Sequence, residues 1–172
     1  MTTQTTHRNQ DGGGEGTKMI HHVFEIAAPR ETVFRALTTA DGLAGWWTTQ
    51  VRMDDVAVGA RIDFTFRGPF NPQVRITEVD PPARVAWEGV SGYAVAWGAQ
   101  TSILFALEAT SGGTRVRFWH QAGRELSDDA MGAATFNWGY YLDSLRLLCE
   151  TGRGKPFPSG TAGARVGASA ID

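Results

Sequence analysis

The feature that most limits what this chain can fold into is a run of short alternating segments, closed by a single long amphipathic one. Residues 20–26 alternate as a strand, placing Ile20, His22, Phe24 and Ile26 on one face. Residues 50–54 form a weaker strand, and 61–67 a strong one with Ile62, Phe64 and Phe66 on one side. Strands follow over 74–79 and 84–88, divided by Asp80-Pro81-Pro82, with Val85 and Trp87 sharing a face. The segments 101–108 and 114–120 are joined by Ser111-Gly112-Gly113, a hairpin signal. Between the first two strands, Pro29 opens a helix with the stripe Val33, Phe34 and Leu37; Asp41-Gly42 is its expected stop, and 43–47 a second short helix. The last element is predicted over 128–150. Asp128 and Asp129 complement the helix dipole, and Ala134, Trp138, Tyr141, Leu145 and Leu148 recur at helical spacing.

Strands linked by short turns become antiparallel neighbours. A sheet that is apolar on one face must bury that face. One helix, roughly 10–12 Å across, is too narrow to cover seven strands. The expected fold is therefore α+β: a curved seven-stranded antiparallel sheet wrapped around a long C-terminal helix, with two short helices after the first strand. Incomplete filling of that curl would leave an apolar cavity.

With 16 Lys+Arg against 18 Asp+Glu, the charge is near balance. Neither a nucleic-acid partner nor a polybasic membrane contact is expected. No apolar run approaches the roughly 20 residues of a membrane span, so membrane insertion is not expected. The first 18 residues are polar, unlike a signal peptide, and the single cysteine, Cys149, forbids an intrachain disulfide. The chain reads as cytoplasmic. Residues 1–17 and 159–172 read as flexible tails around one domain, 18–158. Nothing calls for a cofactor. Adjacent His21 and His22 point to opposite strand faces, so no metal site is expected either.

Five motifs in order resemble one known family. They are Ala27-Ala28-Pro29-Arg30-Glu31-Thr32-Val33-Phe34, the Trp46-Trp47 pair, Ile76-Thr77-Glu78-Val79-Asp80-Pro81-Pro82, His120-Gln121-Ala122-Gly123, and Asn137-Trp138-Gly139-Tyr140-Tyr141. Over about 23–157 the chain resembles the START-like (birch-pollen-allergen-like, SRPBCC) superfamily, in the branch named after activators of heat-shock-protein ATPase. The resemblance implies a helix-grip fold. It also implies, for the wider superfamily, binding of lipids, hormones or polyketides, or cyclisation chemistry. The eponymous co-chaperone carries an additional N-terminal domain for which this chain leaves no room, so a chaperone partner is ranked last. A homodimer is compatible with the sequence.

The preferred function is binding of a small hydrophobic or aromatic molecule between sheet and helix. An enzyme of the cyclase, dehydratase or hydrolase type is the alternative. Candidate ligand-binding residues are His22, Phe24, Trp46, Trp47, Phe64, Phe66, Trp87, Trp97, Phe105, Phe118, His120, Trp138, Tyr141 and Leu145. Adjacent Trp46 and Trp47 are expected to split, one inward and one outward. His120 and His22 are expected to be hydrogen-bonded structural residues rather than bases. An enzyme would need His120 to converge with Glu78 or Tyr141. No residue is assigned as catalytic.

Overall fold

A computed structural model describes residues 18–66, 71–92 and 96–157. The expected tails lie outside the described residues. The elements run β1 (Met19–Ile26), α1 (Arg30–Thr38), α2 (Ala40–Trp46), β2 (Gln50–Met53), β3 (Arg61–Thr65), β4 (Gln73–Asp80), β5 (Arg84–Ser91), β6 (Ser102–Thr110), β7 (Gly113–Gln121) and α3 (Asp128–Thr151). The seven strands form one sheet in the order β1-β7-β6-β5-β4-β3-β2, every pair antiparallel. The first strand joins the last, so α1 and α2 carry the chain from one sheet edge to the other. This is the expected helix-grip architecture.

The alternation seen in the sequence is the alternation of burial. Ile20 and Ile26 on β1, Ile62 and Phe64 on β3, Val85 and Trp87 on β5, and Phe105 and Phe118 on β6 and β7 are all buried. Trp138, Tyr141, Leu142 and Leu145 are the buried apolar residues that α3 contributes to the same core. Four outward arginines pair with neighbouring glutamates: Arg75 with Glu88, Arg84 with Glu78, Arg115 with Glu25 and Arg117 with Glu108. Such exposed pairs add little to stability, because water screens their attraction.

Both ends of α3 are tied to the residues that flank β1. Lys18 pairs with Asp128 at 2.5 Å, and the Ala27 amide donates to Glu150 at 2.9 Å. Ser127 caps the helix start, its Oγ accepting from the Ala130 amide at 3.2 Å. At the other end Gly152 adopts φ 78°, a left-handed turn that glycine takes without strain, and its amide reaches the Leu148 carbonyl.

The break between the short helices differs from the expectation. It falls at Thr39, not at Asp41-Gly42. Thr39 is extended (φ −127°, ψ 150°), and its Oγ1 accepts from the Gly42 amide at 3.0 Å. Thr39 is thus the cap of α2, and Asp41 sits in that helix's first turn, where the dipole favours an acid. Gly42 allows the two helices to touch: a Cβ there would lie 2.6 Å from the Ala36 Cα.

Candidate functional site

The inner surface of the grip is aromatic. Trp47 is its hub, with ring centroids 4.3 Å from Phe64, 5.9 Å from Phe66, 6.3 Å from Trp87 and 5.3 Å from Trp138. Contacts continue from Trp87 to Phe105 at 5.4 Å, to Phe118 at 5.1 Å and back to Trp138 at 4.5 Å. Ring pairs at these separations contribute about 0.5–1.5 kcal/mol each beyond their buried area. Most of the candidate residues are therefore brought into one cluster. Leu145 is buried beneath it, and Phe24 is partly buried against it. His22 lies beside Phe118, centroids 6.1 Å apart. Tyr141 is 8% exposed and edge-on to Tyr140; burial pushes its hydroxyl up to about 12, so it stays protonated.

The expectation for the tryptophan pair fails. Trp46 and Trp47 are 0% and 3% exposed, so both are buried. The strand rule of opposite faces does not apply, because they end a helix that is covered on more than one side. The Trp46 indole donates to the Ala36 carbonyl of α1 at 3.1 Å, and Ser144 of α3 donates to the Trp46 carbonyl at 2.8 Å. Trp47, the next residue, turns into the sheet.

His120 is fully buried in a defined network. The Trp138 indole N–H donates to His120 Nδ1 at 2.9 Å. Nε2 lies 3.0 Å from Thr101 Oγ1, whose own proton goes to the Gln121 carbonyl at 2.9 Å. These roles assign the neutral tautomer with the proton on Nε2. Trp97 stacks on the same ring at 3.8 Å. Burial lowers the His120 pKa to about 3. Its nitrogens are engaged and its ring is held uncharged, which suits a structural donor and not a base near neutral pH. His22 is also shifted down, by burial first and then by His21.

The folded protein thus resists protonation of both rings, and the unfolded chain accepts it near 6.5. Stability from this source is complete above the unfolded value. It declines as pH falls below about 6.5 toward 3, for His120 by about 1.4 kcal/mol per pH unit. The urea midpoint is expected to drop steadily between pH 7 and pH 4.5. A His120 ring proton that titrates near 6.5 by NMR in the folded protein would contradict this assignment.

Glu78 does not join His120. Period-two alternation would put it inward with Val74 and Ile76, but a bulge between Ile76 and Glu78 shifts the register, so Glu78 faces Ala86. It then turns outward to Arg84 at 2.7 Å. The pairing of His120 with Glu78 that the enzyme reading offered is not assembled. Among the described residues no three His, Cys, Asp or Glu side chains group as metal ligands. No described helix is long and apolar enough to cross a membrane.

Four buried side-chain polar atoms have no hydrogen-bond partner among the described residues: His22 Nε2, Arg30 Nε, Trp87 Nε1 and Asn137 Oδ1. Buried polar atoms are overwhelmingly paired in folded proteins, so each such case asks for a cause. Trp87 is the sharpest, being 0% exposed. An open hollow of about 390 Å³ lies elsewhere, at the start of α1 between Ala28, Arg30, Thr110 and Gly113, and no aromatic residue lines it. Sequence reading missed Thr101, Ser144 and Asn137. Of these only Ser144 left a signal, as a small polar residue inside the apolar stripe of α3.

Comparison with known proteins adds to this geometry. The family described as activator of Hsp90 ATPase homolog 1-like protein matches residues 27–150. The Aha1 dimer from Colwellia psychrerythraea superposes with a TM-score of 0.71 at 34% identity, over 80% of this chain and 99% of that one. Protein MLL2253 from Mesorhizobium loti gives 0.65 at 22% identity, over 76% and 96%. DynU16, described as a putative protein of the dynemicin biosynthetic locus, gives 0.67 at 15% identity, over 79% of this chain and 48% of that one. The last two likenesses speak for the fold alone. No curated protein matches the chain.

Proposed function

The chain belongs to the activator of Hsp90 ATPase homolog 1-like family, and from that premise we propose that it binds a small hydrophobic or aromatic molecule between the sheet and α3. The observation that carries the reading is the inner wall itself, a continuous set of aromatic rings with the neutral His120 among them. Such a wall recognises flat apolar molecules through stacking and desolvation, with few polar groups to fix orientation. A ligand enters by exchanging ring–ring contacts for ring–ligand contacts. Trp47 yields first, because it follows the end of α2 and meets both the sheet and α3.

The reading extends to assembly. We infer that the chain pairs with a second copy, supported by the dimeric state of the Colwellia relative at 34% identity. Chaperone-ATPase activation, which the family's name describes, ranks below ligand binding. It needs a docking surface, and four outward arginines of the sheet, Arg75, Arg84, Arg115 and Arg117, already pair within the chain.

One experiment tests both readings. Native mass spectrometry of the protein purified from its own host should return twice the 18.6 kDa chain mass plus a retained organic molecule. A bare mass, together with no saturable binding of a hydrophobic dye, rules out the ligand reading. A strictly monomeric ion series rules out pairing.

A further inference from the structure

Trp87 lies at the middle of the inner wall, with Ile76 and Ile103 opposite it in register. Its ring neighbours are Trp47, Phe64 and Phe105. None of these side chains carries an acceptor, since an indole nitrogen only donates. The Trp87 N–H has no partner among the described residues, and the side chain is 0% exposed. A buried donor without an acceptor costs about as much as a lost hydrogen bond. A phenylalanine would fill the same wall without that cost. The ring position therefore points to an acceptor that the described residues do not supply.

We propose that the Trp87 indole N–H is the ligand's hydrogen-bond anchor, so that the preferred ligand is an aromatic molecule bearing an acceptor oxygen, such as an aryl ketone, and not a bare hydrocarbon. This rests on the proposed ligand binding between sheet and α3 and narrows its chemical class. Stacking on the surrounding rings holds the skeleton, and the N–H sets which edge of the ligand faces the sheet. Selectivity of this kind is strong because a ligand lacking the oxygen leaves the donor unpaired.

The test compares naphthalene with 1-acetylnaphthalene on the full chain by calorimetric titration. The ketone should bind about tenfold more tightly. Trp87→Phe keeps a ring and removes the donor; it should erase that preference, bringing the ketone and naphthalene affinities of the variant together. Should the variant not fold, the wild-type indole proton signals, with nitrogen-15 labelling, decide the matter. The Trp87 signal should move downfield with the ketone and stay with naphthalene. Equal affinity for the two probes, or a Trp87 signal indifferent to the ketone, overturns the anchor and leaves the ligand reading standing. Failure of both probes to bind overturns the anchor and the ligand reading together.

Discussion

Trp47→Ala should lower the unfolding free energy by about 3–5 kcal/mol, the range for removing a large aromatic side chain from a packed core. Trp47 is 3% exposed and meets rings from α2, β3, β5, α3 and the residue just after β3. No single neighbour can collapse into the space, because those rings belong to separate elements held by their own hydrogen bonds. The loss should therefore include a cavity cost as well as lost burial. The same vacancy should raise the capacity for aromatic ligands, since apolar cavities of this kind stay dry and take up small aromatics. Urea denaturation gives the first quantity and calorimetric titration with naphthalene the second. A change below about 1 kcal/mol would mean that Trp47 is not the hub of the aromatic wall.

Gly123→Ala should destabilise by at least about 2 kcal/mol, through backbone and not through lost packing. A methyl built on Gly123 stands 1.9 Å from the Ala99 carbonyl oxygen and 2.8 Å from the Thr101 nitrogen. Neither atom is the end of a flexible side chain. The Gly123 amide donates to the Trp97 carbonyl at 2.8 Å, so this contact laces the segment 97–101 to the end of β7. Prying it open withdraws Thr101 from His120 and Trp97 from its stack. The expected signature is a loss of stability with a shift of the Trp97 and Trp138 indole signals. Gly139→Ala is the control: that glycine is exposed in α3 with nothing near its Cβ, and the change should stabilise by about 0.5–1 kcal/mol. Equal, small effects at both positions would refute the close approach at Gly123.

The two histidines show how far a sequence carries. The strand parity of His22 and His120 was readable, because side chains alternate strictly along a strand, and both lie on the inner side. The partners of His120 were not readable. Thr101 and Trp138 lie 19 and 18 residues away, and only the β6–β7 register and the seating of α3 bring them to its two nitrogens. Glu78 marks the opposite limit. One extra residue in β4 reverses the face of the residues beyond it, and no period-two count reveals a bulge.

Local periodicity thus determined the elements, their antiparallel neighbours and the grip, since each rule there acts over a few residues or one short turn. The strand-borne rings of the inner wall and Trp138 of α3 were determined in the same way, whereas the seating of Trp47 and Trp97 was not. Only the tertiary structure decided which of those rings pack on one another, that both tryptophans of the pair are buried, and which buried polar atoms are left without a partner among the described residues. Those outcomes depend on distances between elements far apart in the chain. Contact across such separations is set by how all the pieces pack at once, and no single segment encodes it.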